Sequence, residues 1–274
     1  MNTGNFYELR IEVTDEDIRE VLIARLSEIG YEGYEEIDEV LKAYIPEGDF
    51  SEKKLHTLLN NYQLKYSQSI IKKQNWNLVW ESNFEPVRVD DFVGIRAGFH
   101  PPFDKVAYEI IITPKMSFGT GHHATTHLVM QLMRELNFPG KSVFDFGTGT
   151  GILAILAEKL GARKIIAVDN DDWCIENASE NIAINHCTQV GIEKADKFPG
   201  NKKFDIILAN INRNILLDNM VGISKAIASG GDIILSGLLA DDEKDMLTAC
   251  LQNGLQHIRT VERNGWIAIR FYMN

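Results

Sequence analysis

The sequence predicts a doubly wound α/β domain whose sheet ends in an antiparallel hairpin, preceded by a small N-terminal α+β domain. From about residue 99, short apolar runs alternate with segments of helical periodicity, as in strand–helix units around a parallel sheet. Near the end of the chain, Asn264-Gly265 lies between two strand-like segments and predicts a tight β-hairpin. Residues 1–73 contain a shorter strand–helix series of their own, which indicates a separate domain.

The N-terminal series, residues 1–73, is predicted to form a βαβαβ-like unit. Its first helix begins at Thr14, which precedes three acidic residues, and ends at Gly30. Apolar residues recur between these two positions at spacings of three and four, which indicates an amphipathic helix. The remaining segments are predicted strands at Phe6–Val13, Tyr34–Ile45 and Lys65–Lys73, and a helix at Ser51–Tyr62.

Residues 74–98 are predicted to be a linker that contains a short helix. Trp76, Trp80 and Phe84 are four residues apart and would lie on one face of that helix. Pro86 ends it, because a residue before proline is disfavoured in the helical conformation. We expect these aromatic side chains to pack the two domains together rather than to bind a ligand.

The second domain is predicted over residues 99–274. Its apolar runs, such as Ile206-Ile207-Leu208, are typical of a parallel sheet that is buried on both faces. The segments 256–263 and 266–273 form the hairpin, so the last strand should run antiparallel to its neighbours. The predicted strands are Tyr108–Thr113, Ser142–Phe146, Lys164–Asp169, Phe204–Ala209 and Asp232–Ser236. The predicted helices are His122–Leu136, Gly151–Leu160, Asp172–Asn185, Arg213–Ala228 and Asp241–Asn253.

The chain is acidic, with 28 Lys and Arg against 39 Asp and Glu and a formal net charge of -11. This charge disfavours nonspecific binding to the phosphates of nucleic acids. Residues 1–73 hold 15 acidic and 9 basic residues, which leaves a net charge of -6. Two explanations stay open for this domain: a well-solvated surface, or an acidic docking face for a basic partner.

Cysteine usage and the hydropathy pattern indicate a cytoplasmic location. The three cysteines form no CxxC pair, which is typical of proteins in a reducing compartment. The N-terminus does not resemble a signal peptide, and no apolar run reaches the ~20 residues that a membrane helix needs. We therefore expect a cytoplasmic protein without a membrane partner.

A glycine loop, Gly147-Thr148-Gly149-Thr150-Gly151, follows the predicted strand that contains Asp145. Glycines at a strand–helix turn let a ligand approach the backbone closely. The third glycine comes one residue too early for the dinucleotide pattern G-x-G-x-x-G. The carboxylate of Asp145 would repel a diphosphate, but it suits a ligand with an ammonium and a sulfonium. Asp169, at the end of the next strand, can accept the hydroxyl protons of a ribose. These two acids favour S-adenosylmethionine over NAD as the cofactor.

Residues 118–126, FGTGHHATT, resemble the FGTGxHxTT signature of the ribosomal protein L11 methyltransferases, which are class I S-adenosylmethionine-dependent methyltransferases. The segment 76–86, the run Ala209-Asn210-Ile211 and the small N-terminal domain are similar to the same family. The resemblance implies a class I methyltransferase sheet with its terminal hairpin. The chain departs from the family at Pro114-Lys115-Met116-Ser117, where Pro-Gly-x-Ala is usual, and near Gly94–His100.

The resemblance also implies a substrate and roles for single residues. The implied substrate is a large-subunit ribosomal protein, free or on the ribosome, that is methylated on lysine, with its N-terminal amine as a second candidate acceptor. Thr126 and Gly147 would contact the methionine end of the cofactor, and Asn210 would lie beside the methyl group. Asp145 and Gly149 are added from the glycine loop and the strand before it. The predicted cofactor-binding set is therefore Thr126, Asp145, Gly147, Gly149, Asp169 and Asn210.

Asn210 is the predicted catalytic residue, with a positioning role rather than that of a base. A lysine amine has a pKa of about 10.4 and attacks only in its neutral form, which burial beside a sulfonium favours. The Asn210 carbonyl would accept the hydrogens of the amine, and water would take the proton. Methyltransferases that act on DNA bases, and some that act on glutamine, have two prolines and an aromatic residue after the asparagine. Their absence from Asn210-Ile211-Asn212-Arg213 favours an alkyl amine.

The histidines near the signature have two interpretations. His123 would either assist the proton transfer or only cap the start of its helix. His123 and His127 are one helical turn apart, as in zinc sites, but no glutamate follows the first and no third ligand is evident. No metal site is therefore predicted. The acidic run Asp241-Asp242-Glu243 is interpreted as a helix N-terminus, where it is favourable to the helix dipole.

The predicted function is transfer of methyl groups from S-adenosylmethionine to amines of a ribosomal protein. Residues 1–73 would dock this protein, and residues 99–274 would bind the cofactor. Two alternatives stay open: a methyltransferase that acts on RNA or a small molecule, and a non-catalytic, cofactor-binding partner of the ribosome. No DNA partner is expected, and a monomer is the expected oligomeric state.

Overall fold

The computed structural model describes residues 5–37, 39–60, 62, 64–71, 84–115, 119–198 and 202–274. The chain forms two compact units, Met1–Val79 and Trp80–Asn274. Each unit has its own clusters of buried apolar side chains, so each has the core of a separate domain. No helix within the described ranges is long and apolar enough to cross a membrane.

The first unit is a four-stranded antiparallel sheet with two helices. Its elements are β1 (Phe6–Glu12), α1 (Glu16–Glu28), β2 (Gly33–Ile37), β3 (Val40–Pro46), α2 (Glu52–Leu59) and β4 (Tyr66–Ile71). The strand order is β2-β3-β1-β4, the arrangement of two interlocked split βαβ units. Every second residue is buried from Leu9 to Ile11 in β1 and from Leu41 to Ile45 in β3, so one face of the sheet forms the core together with helix α1.

The single strand predicted at Tyr34–Ile45 is wrong, because β2 and β3 form a tight hairpin within this range. Ile37 pairs with Val40, so the two strands are adjacent and antiparallel. The cap of α1 is also one residue later than predicted. Asp15, not Thr14, accepts a hydrogen bond from the backbone of Ile18.

The second unit begins with a small sheet of β5 (Val87–Val89), β6 (Val93–Ala97) and β7 (Tyr108–Ile112). All five residues of β6 are buried, and Val93, Ile95 and Ala97 belong to an apolar core cluster of this unit. Residues 84–98 therefore lie in the second unit and do not form the linker that was predicted over residues 74–98. The strands are too short to show a period in the sequence. Trp76 and Trp80 of the predicted linker helix lie outside the described residues.

The main sheet has seven strands in the order β10-β9-β8-β11-β12-β14-β13, and the first five are parallel. Its strands are β8 (Ser142–Phe146), β9 (Lys164–Asp169), β10 (Val190–Lys194), β11 (Phe204–Asn210), β12 (Ile227–Leu239), β13 (Leu255–Arg263) and β14 (Trp266–Met273). The last strand runs antiparallel to both β12 and β13, as predicted. Asn264 and Gly265 both have positive φ, at 53° and 77°, which confirms the predicted tight hairpin.

Helices cover both faces of this sheet, since separate apolar clusters lie on its two sides. They are α3 (Ala124–Met133), α4 (Ile152–Lys159), α5 (Asp172–Ile184), α6 (Arg213–Asp218), α7 (Met220–Ala226) and α8 (Glu243–Gln252). The helix predicted at Arg213–Ala228 is two helices that meet at Asn219. The side chain of Asn219 donates to the carbonyl of Ile215, a local bond of the kind that competes with helix continuation. The doubly wound α/β prediction is confirmed.

Candidate active site

The candidate site lies where the carboxyl ends of β8, β9 and β11 meet. The strand order reverses at this point, because β9 lies on one side of β8 and β11 lies on the other. In open α/β sheets, ligands bind in the crevice outside such a switch point. The glycine loop follows β8, Asp169 ends β9 and Asn210 ends β11, so these three predicted features share one edge of the sheet.

The glycine loop is held in a tight turn by backbone hydrogen bonds. The amides of Gly147 and Thr148 both donate to the carbonyl of Val168, each at 2.9 Å. Gly147, Gly149 and Gly151 all have positive φ, and Gly151 caps α4 in the left-handed conformation. A Cβ atom at Gly147 would lie 2.1 Å from a methyl group of Ile211. The loop therefore depends on glycine for its backbone angles and for the close approach of the β11 end.

Asp169 binds the glycine loop with its carboxylate. Its Oδ2 accepts the Gly149 amide at 2.9 Å, and its Oδ1 accepts the Asp171 amide at 3.1 Å. The side chain is only partly buried, so its oxygens keep lone pairs for a hydroxyl donor from the crevice. Asp169 thus orders the loop and lines the edge where a ribose is predicted.

Asp145 lies beneath the loop and is completely buried. Its Oδ2 accepts the hydroxyl of Thr148 at 2.6 Å, whereas Oδ1 has no well-formed hydrogen bond from any described residue. Burial raises the pKa of this carboxyl to about 7, and the nearby Asp169 charge adds to the rise, although the Thr148 bond opposes it. A cation that approaches the loop would favour the charged form of Asp145. The carboxylate could then accept a hydrogen bond or stabilise the charge of that cation.

The raised pKa of Asp145 predicts an inverted pH dependence of stability. In the unfolded chain the carboxyl ionises near pH 3.8, so between that pH and about 7 the folded protein binds more protons. Stability should therefore fall as pH rises through this window, by up to about 4 kcal/mol, and level off above it. Asp145→Asn should remove this fall. Urea unfolding of both proteins at several pH values between 4 and 8 measures the difference.

Asp205 provides a control of opposite sign for this experiment. Burial tends to raise the pKa of Asp205, but hydrogen bonds from Ser142 and Lys141 lower it overall. Asp205→Asn should therefore lower the free energy of unfolding at neutral pH, and the loss should be smaller at acid pH. Parallel stability curves for Asp145→Asn and wild type would contradict the assignment of a near-neutral pKa to Asp145.

Asn210 is fixed by a hydrogen bond from its amide nitrogen to the hydroxyl of Thr126, at 3.3 Å. Thr126 is buried in the first turn of α3, so the bond joins this helix to the end of β11. The amide of Ile211 donates to the carbonyl of Ser236, which holds the chain directly after Asn210. No donor within the described ranges reaches Oδ1 of Asn210, and this oxygen is available to a ligand.

A bulge in β12 also shapes this part of the site, and the sequence reasoning missed it. The register with β14 shifts between Ser236 and Leu238, and Gly237 has a φ of 86°. A Cβ atom at Gly237 would lie 2.2 Å from the carbonyl oxygen of Ile211. Ile211 is therefore held between Gly147 and Gly237. An isolated glycine inside a strand pattern was the available signal.

His123 caps α3, in agreement with one of its two interpretations. It accepts the Thr125 amide at 3.3 Å, and its ring meets the indole of Trp266 edge-on at 4.5 Å. Trp266, which the sequence reasoning did not single out, begins β14. The pKa of His127 is lowered, mainly by burial and also by the charge of Arg263. Within the described ranges, no group of three His, Cys, Asp or Glu side chains forms a metal-binding cluster.

Comparisons with known proteins identify the family of this chain. A family model described as ribosomal protein L11 methyltransferase (PrmA) matches residues 6–273. The ribosomal protein L11 methyltransferase of Porphyromonas gingivalis is 42% identical over 269 residues, which cover 95% of this chain and 92% of that protein. That of Phocaeicola vulgatus is 38% identical over 267 residues, covering 94% and 95%.

A solved structure is similar as well. The crystal structure of ribosomal protein L11 methylase from Lactobacillus delbrueckii subsp. bulgaricus matches with a TM-score of 0.65 and 29% identity. The match covers 70% of this chain and 100% of that chain. The resemblance inferred from residues 118–126 is thereby confirmed, and the chain belongs to the ribosomal protein L11 methyltransferase family.

Proposed function

We propose that this protein transfers methyl groups from S-adenosylmethionine to amines of ribosomal protein L11, on lysine side chains and at the N-terminus. The observation that carries the proposal is the orientation of Asn210. Its nitrogen is committed to Thr126 at 3.3 Å, and its oxygen is left without a donor from the described residues. An acceptor oxygen at this edge, beside a glycine loop, suits an incoming amine that must be held by its hydrogens.

The residues at the sheet edge fit the cofactor. Asp169 would accept ribose hydroxyls, and the Gly147–Gly149 turn leaves room for the methionine end close to the backbone. Oδ1 of Asp145, beneath the loop, accepts no well-formed hydrogen bond, and the charged carboxylate would stabilise the positive charge of the ligand. S-adenosylmethionine supplies a methyl group on a sulfonium, and its charge explains why two carboxylates at this site are tolerable.

The task of the protein is then mainly to orient and desolvate the amine. Alignment of two reacting groups is worth up to about 7–11 kcal/mol in favourable cases, and no general base is required for it. Asn210 Oδ1 would accept an N–H of the neutral amine and aim its lone pair towards the cofactor. The hydrogen bond with Thr126 holds the Asn210 side chain at the end of β11. The proton leaves to solvent.

The substrate side of the proposal assigns docking to the first unit. The face of its sheet opposite the buried alternation of β1 and β3 carries Arg10, Glu12, Lys42 and Ser67, whereas both helices described in this unit pack on the other face. The net charge of -6 over residues 1–73 would favour encounter with a basic ribosomal protein. A ribosomal substrate places the reaction in the cytoplasm, with L11 free or on the large subunit.

Mass spectrometry of L11 tests the proposal directly. Purified enzyme, S-adenosylmethionine and unmethylated L11 should give mass increases of one or more methyl groups, located on lysine or N-terminal amines by peptide fragmentation. Ribosomal RNA and a small-molecule extract serve as parallel acceptors with labelled cofactor. Methyl transfer to either of these and not to L11 would overturn the proposal in favour of an RNA or small-molecule methyltransferase. Cofactor binding without transfer would favour the non-catalytic alternative.

A further inference from the structure

Two completely buried polar side chains near the site have no part in the proposed mechanism. Thr150 belongs to the glycine loop, and Asn181 lies on α5. Buried polar groups are costly unless each is hydrogen-bonded, so a fully bonded buried pair indicates a specific structural requirement. Both side chains are bonded here, and their partners belong to different segments of the unit.

The bonds form a continuous chain. The amide of Thr113, directly after β7, donates to Oδ1 of Asn181 at 2.8 Å. Nδ2 of Asn181 donates to the carbonyl of Thr150 at 2.9 Å. The hydroxyl of Thr150 in turn donates to the carbonyl of Gly119. Thr113 and Gly119 are therefore both joined to one residue of the glycine loop.

Gly119 approaches this loop closely. Its φ is 98°, and a Cβ atom there would lie 2.9 Å from the hydroxyl oxygen of Thr150. Gly119 also leads into α3, which His123 caps and whose first turn presents Thr126 to Asn210. The Thr150 hydroxyl thus joins the loop proposed to hold the cofactor to the segment proposed to hold Asn210.

We infer that Thr150 and Asn181 are positioning residues for the cofactor site. They fix the entry into α3 relative to the glycine loop before any ligand binds, so that binding does not have to order these two segments. This inference rests on the proposed function, because it assigns the pair a purpose at the same cofactor site. Neither side chain needs to touch the cofactor or the amine.

The helix itself provides a matched control for Asn181. Asn185, one turn further along α5, holds Ile111 of β7 in the same way: its Oδ1 accepts the Ile111 amide, and its Nδ2 donates to the Ile111 carbonyl. It has no bond to the glycine loop. Asn181→Asp removes the amide donor from the carbonyl of Thr150, whereas Asn185→Asp removes the amide donor from the carbonyls of Ile111 and Asn181. Only the first variant therefore removes a donor from the glycine loop.

Calorimetric titration with S-adenosylmethionine is the test, using wild type, Thr150→Val, Thr150→Ser and the two asparagine variants of the full chain. Thr150→Val and Asn181→Asp should each weaken binding about five- to tenfold, the factor that corresponds to one net hydrogen bond. Thr150→Ser, which keeps the hydroxyl, and Asn185→Asp should stay within about threefold, since neither change breaks the chain of bonds. Hydrogen exchange in the cofactor-free state should be faster over residues 119–126 in Thr150→Val than in Thr150→Ser.

Several outcomes would overturn the inference. One is a Thr150→Val variant that binds S-adenosylmethionine with wild-type affinity. Another is an equal loss of affinity in Asn181→Asp and Asn185→Asp, because an equal loss would indicate general destabilisation of α5. If Asn181→Asp does not fold, the contrast between Thr150→Val and Thr150→Ser decides alone. A wild-type protein that binds no S-adenosylmethionine would overturn the proposed function and this inference together, which distinguishes that failure from the others.

Discussion

Asn210→Ala should lower turnover about 10²- to 10³-fold, the loss typical of removing one well-placed polar group from an active site. The variant loses the oxygen that would accept the amine hydrogens, so the lone pair of the acceptor is no longer aimed at the methyl group. Cofactor affinity should change by no more than about threefold, because Asp169 and the glycine loop keep their mutual hydrogen bond. Single-turnover methylation of L11 at saturating cofactor measures the chemical step.

Asn212 offers a matched control two residues away. It is exposed and caps α6, where its side chain accepts the Ile215 amide at 3.1 Å. Asn212→Ala should therefore cost about 1 kcal/mol of stability, as cap removals do, while turnover stays near the wild-type value. Equal turnover losses in the two variants would mean that the effect of Asn210→Ala comes from disorder at the end of β11. Unchanged turnover in Asn210→Ala would remove the residue from the mechanism.

The glycine loop, the ends of β9 and β11 and the terminal hairpin could be predicted because each has a local signal. Glycines occupy positive-φ positions in the loop, and apolar runs mark strands that are buried on both faces. Asn264 and Gly265 occupy the two turn positions that require positive φ. Side chains at the carboxyl ends of parallel strands then share one sheet edge, whatever the sequence between them.

Other features were missed because their signals are long-range or weak. The strand β10 is short and half-exposed, and its neighbours along the chain are polar, so no period distinguishes it from a loop. The bond from Asn181 to Thr150 and the bond from Thr150 to Gly119 each join residues 31 positions apart. Such pairings depend on how helices pack against the sheet. No spacing rule along a single element predicts them.

Asp145 shows how far local reasoning reaches at a site. The residue type and its place near the end of β8 were sufficient to predict a carboxylate at this edge of the sheet. The complete burial of this side chain was not predictable, because the loop that buries it is held by two backbone hydrogen bonds to Val168 of the neighbouring strand. That burial raises the pKa to about 7, which changes the expected role from an exposed charge to a buried, ionisable group.

Removal of residues 1–73 should abolish methylation of L11, with a loss of at least about 100-fold in kcat/KM, and leave cofactor affinity within about threefold. The remaining chain keeps the whole compact unit Trp80–Asn274, with its own apolar clusters, so it should fold. The expected loss arises because binding energy from a docking surface remote from the reacting atoms raises kcat/KM. A loss of 100-fold corresponds to about 3 kcal/mol, which a modest interface supplies.

The truncated chain separates docking from catalysis only if its cofactor site is intact, so calorimetry with S-adenosylmethionine and thermal unfolding come first. A truncated protein that binds the cofactor normally and still methylates L11 within about tenfold of the full chain would refute a docking role for the first unit, since tenfold is only about 1.4 kcal/mol.

The dependence of association on salt concentration provides a second measurement. If the acidic first unit steers a basic substrate, the association rate of the full chain with L11 should fall as ionic strength rises. The truncated chain, which lacks the net charge of -6 over residues 1–73, should show a weaker dependence.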